Sequence, residues 1–201
     1  FHILHISPLG YAEPNQIHPE MQLPDGNWPV LDRTARGLKG GYADWLSDCL
    51  LAIRWALQQP GVLPQMSLFG TSQGGGGSLL LASILGGKVR CVCADLPFLT
   101  DFPATELEGP AYSILKPAYE ETDHTLFWNQ LGYVDTLSHA HRINVPVMLS
   151  AGGLDNTCPP KTIEHLFSEL DCTKQYTFSK NVHTHSRESM VLFSAWLHLY
   201  A

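Results

Sequence analysis

The sequence predicts an α/β fold built on a mostly parallel, doubly wound sheet. Short apolar stretches typical of buried strands alternate along the chain with longer stretches of helical periodicity, and this alternation favours parallel strands joined by crossover helices. The 201 residues, of which 44% are hydrophobic and 15% charged, suffice for one domain with a sizeable core. Since neither an internal repeat nor a linker interrupts the pattern, we expect a single domain over residues 1–201.

Five stretches are predicted to be strands because each is short, apolar and bounded by turn residues. In chain order they are Ile3–Ile6, Met66–Phe69, Val89–Ala94, Val147–Ser150 and Tyr176–Phe178. Between the first two lies a segment over residues 7–41 that contains five prolines and no apolar period. A loop of that length in a compact domain is usually functional or an interface, so we predict a proline-rich loop there and treat it as a candidate interface.

Helical periodicity appears in most of the remaining chain. Apolar residues recur at helical spacing from Tyr42 to Leu57, and Pro60-Gly61 then ends the helix. Further helices are predicted by apolar spacing or by a proline at the first turn. They are Gly75–Leu85, Leu131–His141, a helix opened by Pro159-Pro160, and a closing helix from Met190 to Tyr200. Residues 101–125 have no clear period and are predicted to be irregular.

Composition and charge argue against several classes of partner. The net charge is −7 and the Lys and Arg residues are scattered singly, so we expect no nucleic-acid partner. No apolar run approaches the roughly 20 residues of a membrane helix, so we expect no membrane partner. The five cysteines are odd in number, and Cys91 and Cys93 share one predicted strand. This pattern favours reduced thiols and a cytoplasmic protein, and the absence of a Cys-x-x-Cys pair argues against structural zinc.

The strongest chemical signal is the pentapeptide Gly70-Thr71-Ser72-Gln73-Gly74, which matches G-x-S-x-G. A predicted strand precedes it and a predicted helix follows it. In that context the two glycines allow a sharp turn that raises the Ser hydroxyl above the end of the sheet, as in α/β-hydrolases. We therefore predict Ser72 as a catalytic nucleophile rather than as an ordinary turn residue.

The backbone N–H of Gln73 follows the nucleophile and is predicted to bind a developing oxyanion. The run of four glycines at 74–77 also suggests a phosphate-binding loop. However, no Lys follows in the register of a P-loop, and no G-x-G-x-x-G with a downstream ribose acid fits. Close packing of the helix on the sheet explains these glycines better.

In the α/β-hydrolase fold the acid and the base follow the nucleophile at the ends of later strands, in that order. Asp155 comes shortly after the predicted strand Val147–Ser150, where the acid is expected, although a turn or helix-capping Asp is the alternative. His183 and His185 both follow the last predicted strand. Either can serve as general base with its second ring nitrogen held by Asp155. The pair His139 and His141 is two residues apart and gives only a weak metal signal.

Taken together, these motifs resemble the acetyl xylan esterase and cephalosporin C deacetylase group, carbohydrate esterase family seven, from about Tyr42 to the C-terminus. Several stretches are similar to that family: the nucleophile motif at 70–75, the segment Asp95–Leu99, the positions Tyr133, Asp135 and Arg142, and above all the acid loop Gly153–Pro160. The resemblance implies removal of acetyl groups from acetylated carbohydrates or similar small esters. It also implies an intracellular homohexamer without metal or organic cofactor.

Two local departures from the family pattern concern the base and the scaffold. The family follows its catalytic His with Glu, whereas Thr184 follows His183 and Ser186 follows His185. Because Asn181-Val182 before His183 is closer to the family pattern, we predict His183 as the base. The family's Arg-Gly-Gln motif is absent, and Pro8-Leu9-Gly10 stands near its place.

The part of the chain before the nucleophile motif departs further from the family pattern. The five predicted strands resemble the last five of the usual eight, and the loop after the missing third strand normally gives the second oxyanion N–H. Without that strand, Ile3–Ile6 and Met66–Phe69 would flank a gap with unpaired backbone groups. We therefore expect that these 201 residues belong to a longer protein, or that another segment fills the gap.

Two alternative functions remain open on the sequence. A prolyl-oligopeptidase-like serine peptidase shares the nucleophile turn and the order of the three residues. A non-catalytic interaction protein that kept the α/β-hydrolase fold is the alternative of another class, because the front strands are missing and the residues around the base are altered.

Overall fold

The computed structural model describes residues 2–6 and 29–201 of the chain. These residues form two compact units. The first contains the described residues up to Pro64 together with Ile114–Tyr133, and the second contains Gln65–Ser113 together with Val134–Ala201. All strands of the described chain belong to the second unit.

The second unit is built on a four-stranded sheet in which every neighbouring pair is parallel. The strands are β1 (Met66–Thr71), β2 (Val89–Asp95), β3 (Val147–Gly152) and β4 (Lys174–Ser179), and they lie side by side in that order. The residues of β3 are all buried, as expected of a central strand covered on both faces. Because the strands are parallel, their carboxyl ends meet at one edge of the sheet.

Helices cover both faces of this sheet. The helices of the second unit are α3 (Gln73–Leu85), α4 (Gly109–Tyr112), α7 (Pro160–Glu169) and α8 (Arg187–Tyr200). Right-handed crossovers between strands in sequential order place α3 and α7 on the same face, and both contact the 3₁₀ segment Leu137–Arg142. The last helix, α8, packs on the other face, where Phe193 contacts Cys93 and Met148. This arrangement confirms the predicted α/β fold.

The first unit is helical in its described part. Its helices are α1 (Pro29–Ala35), α2 (Tyr42–Ala56), α5 (Lys116–Glu121) and α6 (His124–Gly132). The helix α1 packs against α2, α5 and α6, with Leu31 and Ala35 fully buried. Short 3₁₀ segments occur elsewhere in the described chain, at Gly86–Lys88, Phe102–Thr105, Ser113–Leu115 and Leu137–Arg142.

Two of the sequence predictions were wrong at the front of the chain. Ile3–Ile6 forms no strand, and its Ile3 side chain is 91% exposed. An apolar run becomes a strand only when a neighbouring strand accepts its backbone hydrogen bonds, and none of the four strands pairs with this one. The predicted loop over 7–41 also contains a helix, α1, which begins at Pro29 because proline suits the first helical position. Residues 7–28 of that loop lie outside the described residues.

Two further predictions needed smaller corrections. The helix predicted over Leu131–His141 is divided, since α6 ends at Gly132 and the 3₁₀ segment begins at Leu137. Residues 101–125, predicted to be irregular, contain α4, α5 and two 3₁₀ segments. No helix among the described residues is both long enough and apolar enough to cross a membrane.

Candidate active site

Ser72 occupies a sharp turn between β1 and α3. It is the single residue between Thr71, where β1 ends, and Gln73, where α3 begins, and its φ is 52° and its ψ is −115°. A non-glycine residue at positive φ carries strain of order 1–3 kcal/mol, which persists only where surrounding contacts fix it. Here the Ser72 N–H donates to the Asp95 carbonyl at 2.8 Å, and the Ser72 carbonyl accepts from Phe98 N–H at 2.9 Å. The turn is therefore held from both sides.

Two glycines make this turn possible. A Cβ atom on Gly70 would lie 2.2 Å from the backbone carbon and oxygen of Gly74, and a Cβ on Gly76 would lie 2.0 Å from the Phe98 carbonyl oxygen. Either side chain would collide with backbone, which cannot move aside without moving the turn. The glycines thus allow the close approach of α3 to the end of the sheet.

Asp155 lies in the loop after β3 and is almost completely buried, with 2% of its surface exposed. Its Oδ1 accepts from the backbone N–H of Thr157 at 2.8 Å and of Cys158 at 2.9 Å. Its Oδ2 lies 2.7 Å from Nδ1 of His183. The carboxylate therefore stabilises its own turn with one oxygen and holds a histidine with the other.

His183 lies between β4 and α8 and contacts both Asp155 and Ser72. Its Nε2 lies 2.9 Å from the Ser72 hydroxyl oxygen. A carboxylate can only accept, so Nδ1 donates to Asp155 and the lone pair of Nε2 faces the hydroxyl. The structure thus brings the predicted residues Ser72, His183 and Asp155 into one hydrogen-bonded chain. A nucleophile, a base and an orienting acid need this arrangement.

Backbone hydrogen bonds join the acid loop to the end of β4 and to the histidine loop, the segment between β4 and α8 at residues 180–186. Gly153 N–H donates to the Ser179 carbonyl at 2.7 Å, and Leu154 N–H donates to the Asn181 carbonyl at 3.0 Å. A Cβ on Gly152 would lie 2.6 Å from the same Asn181 oxygen, so this approach also requires glycine. The distance between Asp155 and His183 is therefore fixed by the main chain and not only by the side chains.

His185, the other candidate base, is bound elsewhere. Its Nδ1 lies 2.7 Å from Oδ2 of Asp95, and its side chain is 61% exposed. The buried Asp95 also accepts from the Ser150 hydroxyl at 2.6 Å and from the Thr71 hydroxyl at 3.2 Å. The same residue holds the Ser72 N–H through its carbonyl, so Asp95 links β1, β3 and the histidine loop.

The role of Asp95 was missed by the sequence reasoning, which used this residue only as part of a family-like segment. Its position as the last residue of β2 was the available signal, because it places the side chain at the carboxyl edge of the sheet beside the nucleophile turn. Asp135, another residue of the resemblance, accepts from the backbone N–H groups of Asp101 and Phe102 at 2.8 and 2.9 Å. It thereby fixes the loop that follows β2.

Gln73 is 9% exposed and is the first residue of α3. Because it begins the helix, its backbone N–H lies at the positive end of the helix dipole, next to Ser72. Its side-chain Nε2 is buried and has no hydrogen-bond partner among the described residues. The second oxyanion donor, expected outside this chain, stays a prediction.

A buried thiol lies beside Asp155. Cys158 has none of its surface exposed, and its backbone N–H donates to Oδ1 of Asp155. Burial, and then the negative charge of Asp155, raise the pKa of this thiol well above its ordinary value. One donor atom each from Asp155, Cys158 and His183 lie within 4.8 Å of one another.

The sequence matches a known protein family. The family model for acetyl xylan esterase matches residues 44–196, which is most of the chain. The chain belongs to the acetyl xylan esterase family. This assignment confirms the resemblance stated on the motifs, and the members of that family are serine hydrolases.

Solved structures agree with the family assignment. The chain is similar to acetyl xylan esterase 1 from Thermoanaerobacterium sp. JW/SL YS485, with 26% identity and a TM-score of 0.71 over 81% of this chain and 55% of that one. It is also similar to the acetyl xylan esterase from Paenibacillus sp. R4, with 22% identity and a TM-score of 0.76 over 92% of this chain and 60% of that one. The chain therefore spans 55% and 60% of the length of these two enzymes.

A peptidase has the same fold. The acylaminoacyl peptidase of Pyrococcus horikoshii matches with 18% identity and a TM-score of 0.62 over 87% of this chain and 30% of that one. At this identity the likeness concerns the fold alone.

Proposed function

We propose that this protein is a serine carboxylester hydrolase that removes acetyl groups from acetylated carbohydrates or similar small esters. The observation that carries the proposal is the hydrogen-bonded chain from Ser72 through His183 to Asp155, with distances of 2.9 and 2.7 Å. Membership of the acetyl xylan esterase family supports an ester as the substrate and an acetyl group as its acyl part. In this proposal Ser72 is the nucleophile, His183 the general base and Asp155 the orienting acid.

The first half of the proposed reaction transfers the acetyl group to the enzyme. Nε2 of His183 takes the hydroxyl proton of Ser72 while the oxygen attacks the ester carbonyl. The developing oxyanion is stabilised by the backbone N–H of Gln73, and the N-terminal end of α3 adds a favourable dipole. His183 then gives the proton to the departing sugar oxygen, which leaves Ser72 acetylated.

The second half releases acetate. A water molecule gives its proton to Nε2 of His183 and attacks the acetyl-serine carbonyl, and the same N–H group stabilises the second tetrahedral intermediate. Collapse of that intermediate returns the proton to the Ser72 oxygen. Through both halves the buried carboxylate of Asp155 keeps the imidazole in one tautomer and stabilises the imidazolium.

The direct experiment measures acetate release from acetylated xylo-oligosaccharides and turnover of p-nitrophenyl acetate by the purified protein. We expect acetate release, and we expect Ser72→Ala to abolish it while its circular dichroism and melting temperature stay unchanged. Turnover of a proline-containing amide in preference to both esters would instead favour the peptidase alternative. A folded protein that turns over neither class would contradict the proposal and favour the non-catalytic alternative.

Assembly, location and cofactor use belong to the same proposal. A homohexamer is proposed from the family resemblance, and a cytoplasmic location from the same resemblance and from five thiols that form no disulfide. The proposed reaction uses Ser72, His183, Asp155 and the backbone N–H of Gln73, and it needs no cofactor. Light scattering coupled to size-exclusion chromatography tests the assembly, since a monomer at micromolar concentration would contradict it.

A further inference from the structure

Cys158 is a buried thiol that the esterase mechanism does not use. It lies beside two members of the catalytic chain, because its backbone N–H donates to Asp155 at 2.9 Å. Its sulfur also lies within 4.8 Å of a donor atom of Asp155 and of His183. It is fully buried.

The donor atoms around this thiol form a ligand set typical of zinc and cadmium. Thiolate, imidazole and carboxylate are the side chains that bind these ions, and three protein ligands with one open position is a common arrangement. In a tetrahedral site the ligand atoms lie about 3.6 Å apart, whereas the three donors here lie within 4.8 Å of one another. A shift of about 1 Å therefore closes the set. Rotation of the His183 side chain, which is 28% exposed, can supply that movement while the backbone of its loop stays in place.

We propose that Asp155, Cys158 and His183 bind a thiophilic divalent cation such as Zn²⁺ or Cd²⁺, and that this binding stops the reaction at Ser72. The inhibitory half of the proposal rests on the proposed esterase function, whereas the binding half does not. Hard cations such as Mg²⁺ and Ca²⁺ prefer oxygen ligands and are not expected to bind here.

Binding and catalysis exclude each other because both use His183. A cation on Nε2 occupies the lone pair that must accept the Ser72 proton, and a cation on Nδ1 breaks the 2.7 Å bond to Asp155 that orients the ring. The Cys158 proton leaves to solvent as the sulfur binds the cation, since a coordinating thiol is deprotonated outright. No bond of the chain is broken, and a chelator should reverse the block.

The experiment titrates the whole protein with Cd²⁺ and follows the ultraviolet sulfur-to-cadmium charge-transfer band. We expect the absorbance of this band to saturate at one Cd²⁺ per chain. Because the band arises from the Cys158 sulfur, we expect Cys158→Ser to lose it. Cys172→Ser should keep the band, because Cys172 is a partly buried thiol between α7 and β4 and is not one of the three donors. Should Cys158→Ser fail to fold, His183→Gln tests the same site, and its affinity for Cd²⁺ should fall by at least about tenfold.

Activity is measured in the same titration, each variant against its own metal-free rate. We expect Cd²⁺ and Zn²⁺ to inhibit the unsubstituted protein, EDTA to restore it, and Cys158→Ser to need at least about tenfold more Cd²⁺. Ser72→Ala separates cation binding from inhibition. Ser72 is not one of the three ligands, so this variant should keep the band although it turns over no ester. The binding half is therefore tested even if the protein proves not to be an esterase. The proposal would be overturned by a band that persists unchanged in a folded Cys158→Ser, or by an unchanged affinity for Cd²⁺ in His183→Gln. It would also be overturned if Cd²⁺ inhibited Cys158→Ser and the unsubstituted protein at the same concentration.

Discussion

Two histidine–aspartate pairs lie at the carboxyl edge of the sheet, and they differ in what they reach. In both, Nδ1 of the histidine lies 2.7 Å from a buried carboxylate, His183 with Asp155 and His185 with Asp95. Only His183 presents Nε2 to Ser72, at 2.9 Å, and its side chain is 28% exposed against 61% for His185. The pairing of histidine with aspartate therefore does not by itself identify a general base, since a nucleophile must also lie within reach.

The two carboxylates differ in the same way. Asp155 uses its second oxygen to hold the backbone of its own turn, so its geometry is set locally. The Asp95 carboxylate accepts hydrogen bonds from hydroxyl groups on the two neighbouring strands. Its backbone carbonyl accepts from the Ser72 N–H. We infer that the His183 pair moves protons, and that the His185 pair fastens the histidine loop to the nucleophile turn.

The largest difference is expected when each histidine is removed. His183→Ala should lower kcat on p-nitrophenyl acetate on the order of 10⁶-fold, the scale at which a serine hydrolase loses its base. His185→Ala should lower it by less than about tenfold, because the Ser72–His183–Asp155 chain stays intact. Steady-state kinetics on both variants checks this. Equal losses, or a larger loss in His185→Ala, would exchange the roles of the two pairs.

The two carboxylates should differ in kind as well as in size of effect. Asp155→Asn should lower kcat on the order of 10⁴-fold, since the amide disfavours the tautomer that leaves Nε2 free to accept. Asp95→Asn should act mainly on stability, by about 1–3 kcal/mol, because a buried acceptor with three donors becomes partly mismatched. Urea unfolding together with kcat separates the two. A loss of kcat in Asp95→Asn as deep as in Asp155→Asn would contradict the division.

A third pair, remote from Ser72 in its contacts, should give the smallest effect. His165 on α7 lies 2.7 Å from Asp101, and that hydrogen bond raises the pKa of His165 above its ordinary value. Because the pKa is higher in the folded state, the pair stabilises the fold fully below the ordinary value and loses this contribution as the pH rises through the raised value. Half-exposure limits the gain to below about 1 kcal/mol.

The measurement for this pair compares the free energy of unfolding of His165→Gln and of the unsubstituted protein at about pH 5.5 and about pH 9. The difference should be larger at the lower pH and should nearly vanish at the higher one, while kcat stays the same. A difference that grows with pH would have the wrong sign for this pair.

Much of this edge of the sheet could be predicted from the sequence. Periodicity placed the four strands of the sheet within a few residues of their ends, and the motif at 70–74 together with a strand on one side and a helix on the other indicated Ser72. Asp155 followed from its position after a buried strand. Those signals are local, because strand ends and sharp turns are set by neighbouring residues.

The choice of His183 over His185 depended on the family-like Asn181-Val182 before it, and the contacts of Asp95 had no local signal at all. His183 and His185 share a loop and a chemistry, and only the path of that loop decides which one meets Ser72. The Asp95 contacts join residues 24 and 55 positions away, so no periodicity marks them. The prediction of a strand over Ile3–Ile6 was wrong for a related reason, since an apolar run does not show whether a pairing strand lies beside it.

The most direct test of the division between the two pairs is the rate at which a fluorophosphonate labels Ser72, followed by intact mass and located by peptide mass spectrometry. We expect the unsubstituted protein and His185→Ala to be labelled at Ser72 at similar rates, and His183→Ala to be labelled orders of magnitude more slowly. Labelling of His183→Ala at the unsubstituted rate, or loss of labelling in a folded His185→Ala, would contradict the assignment of His183 as the base that activates Ser72.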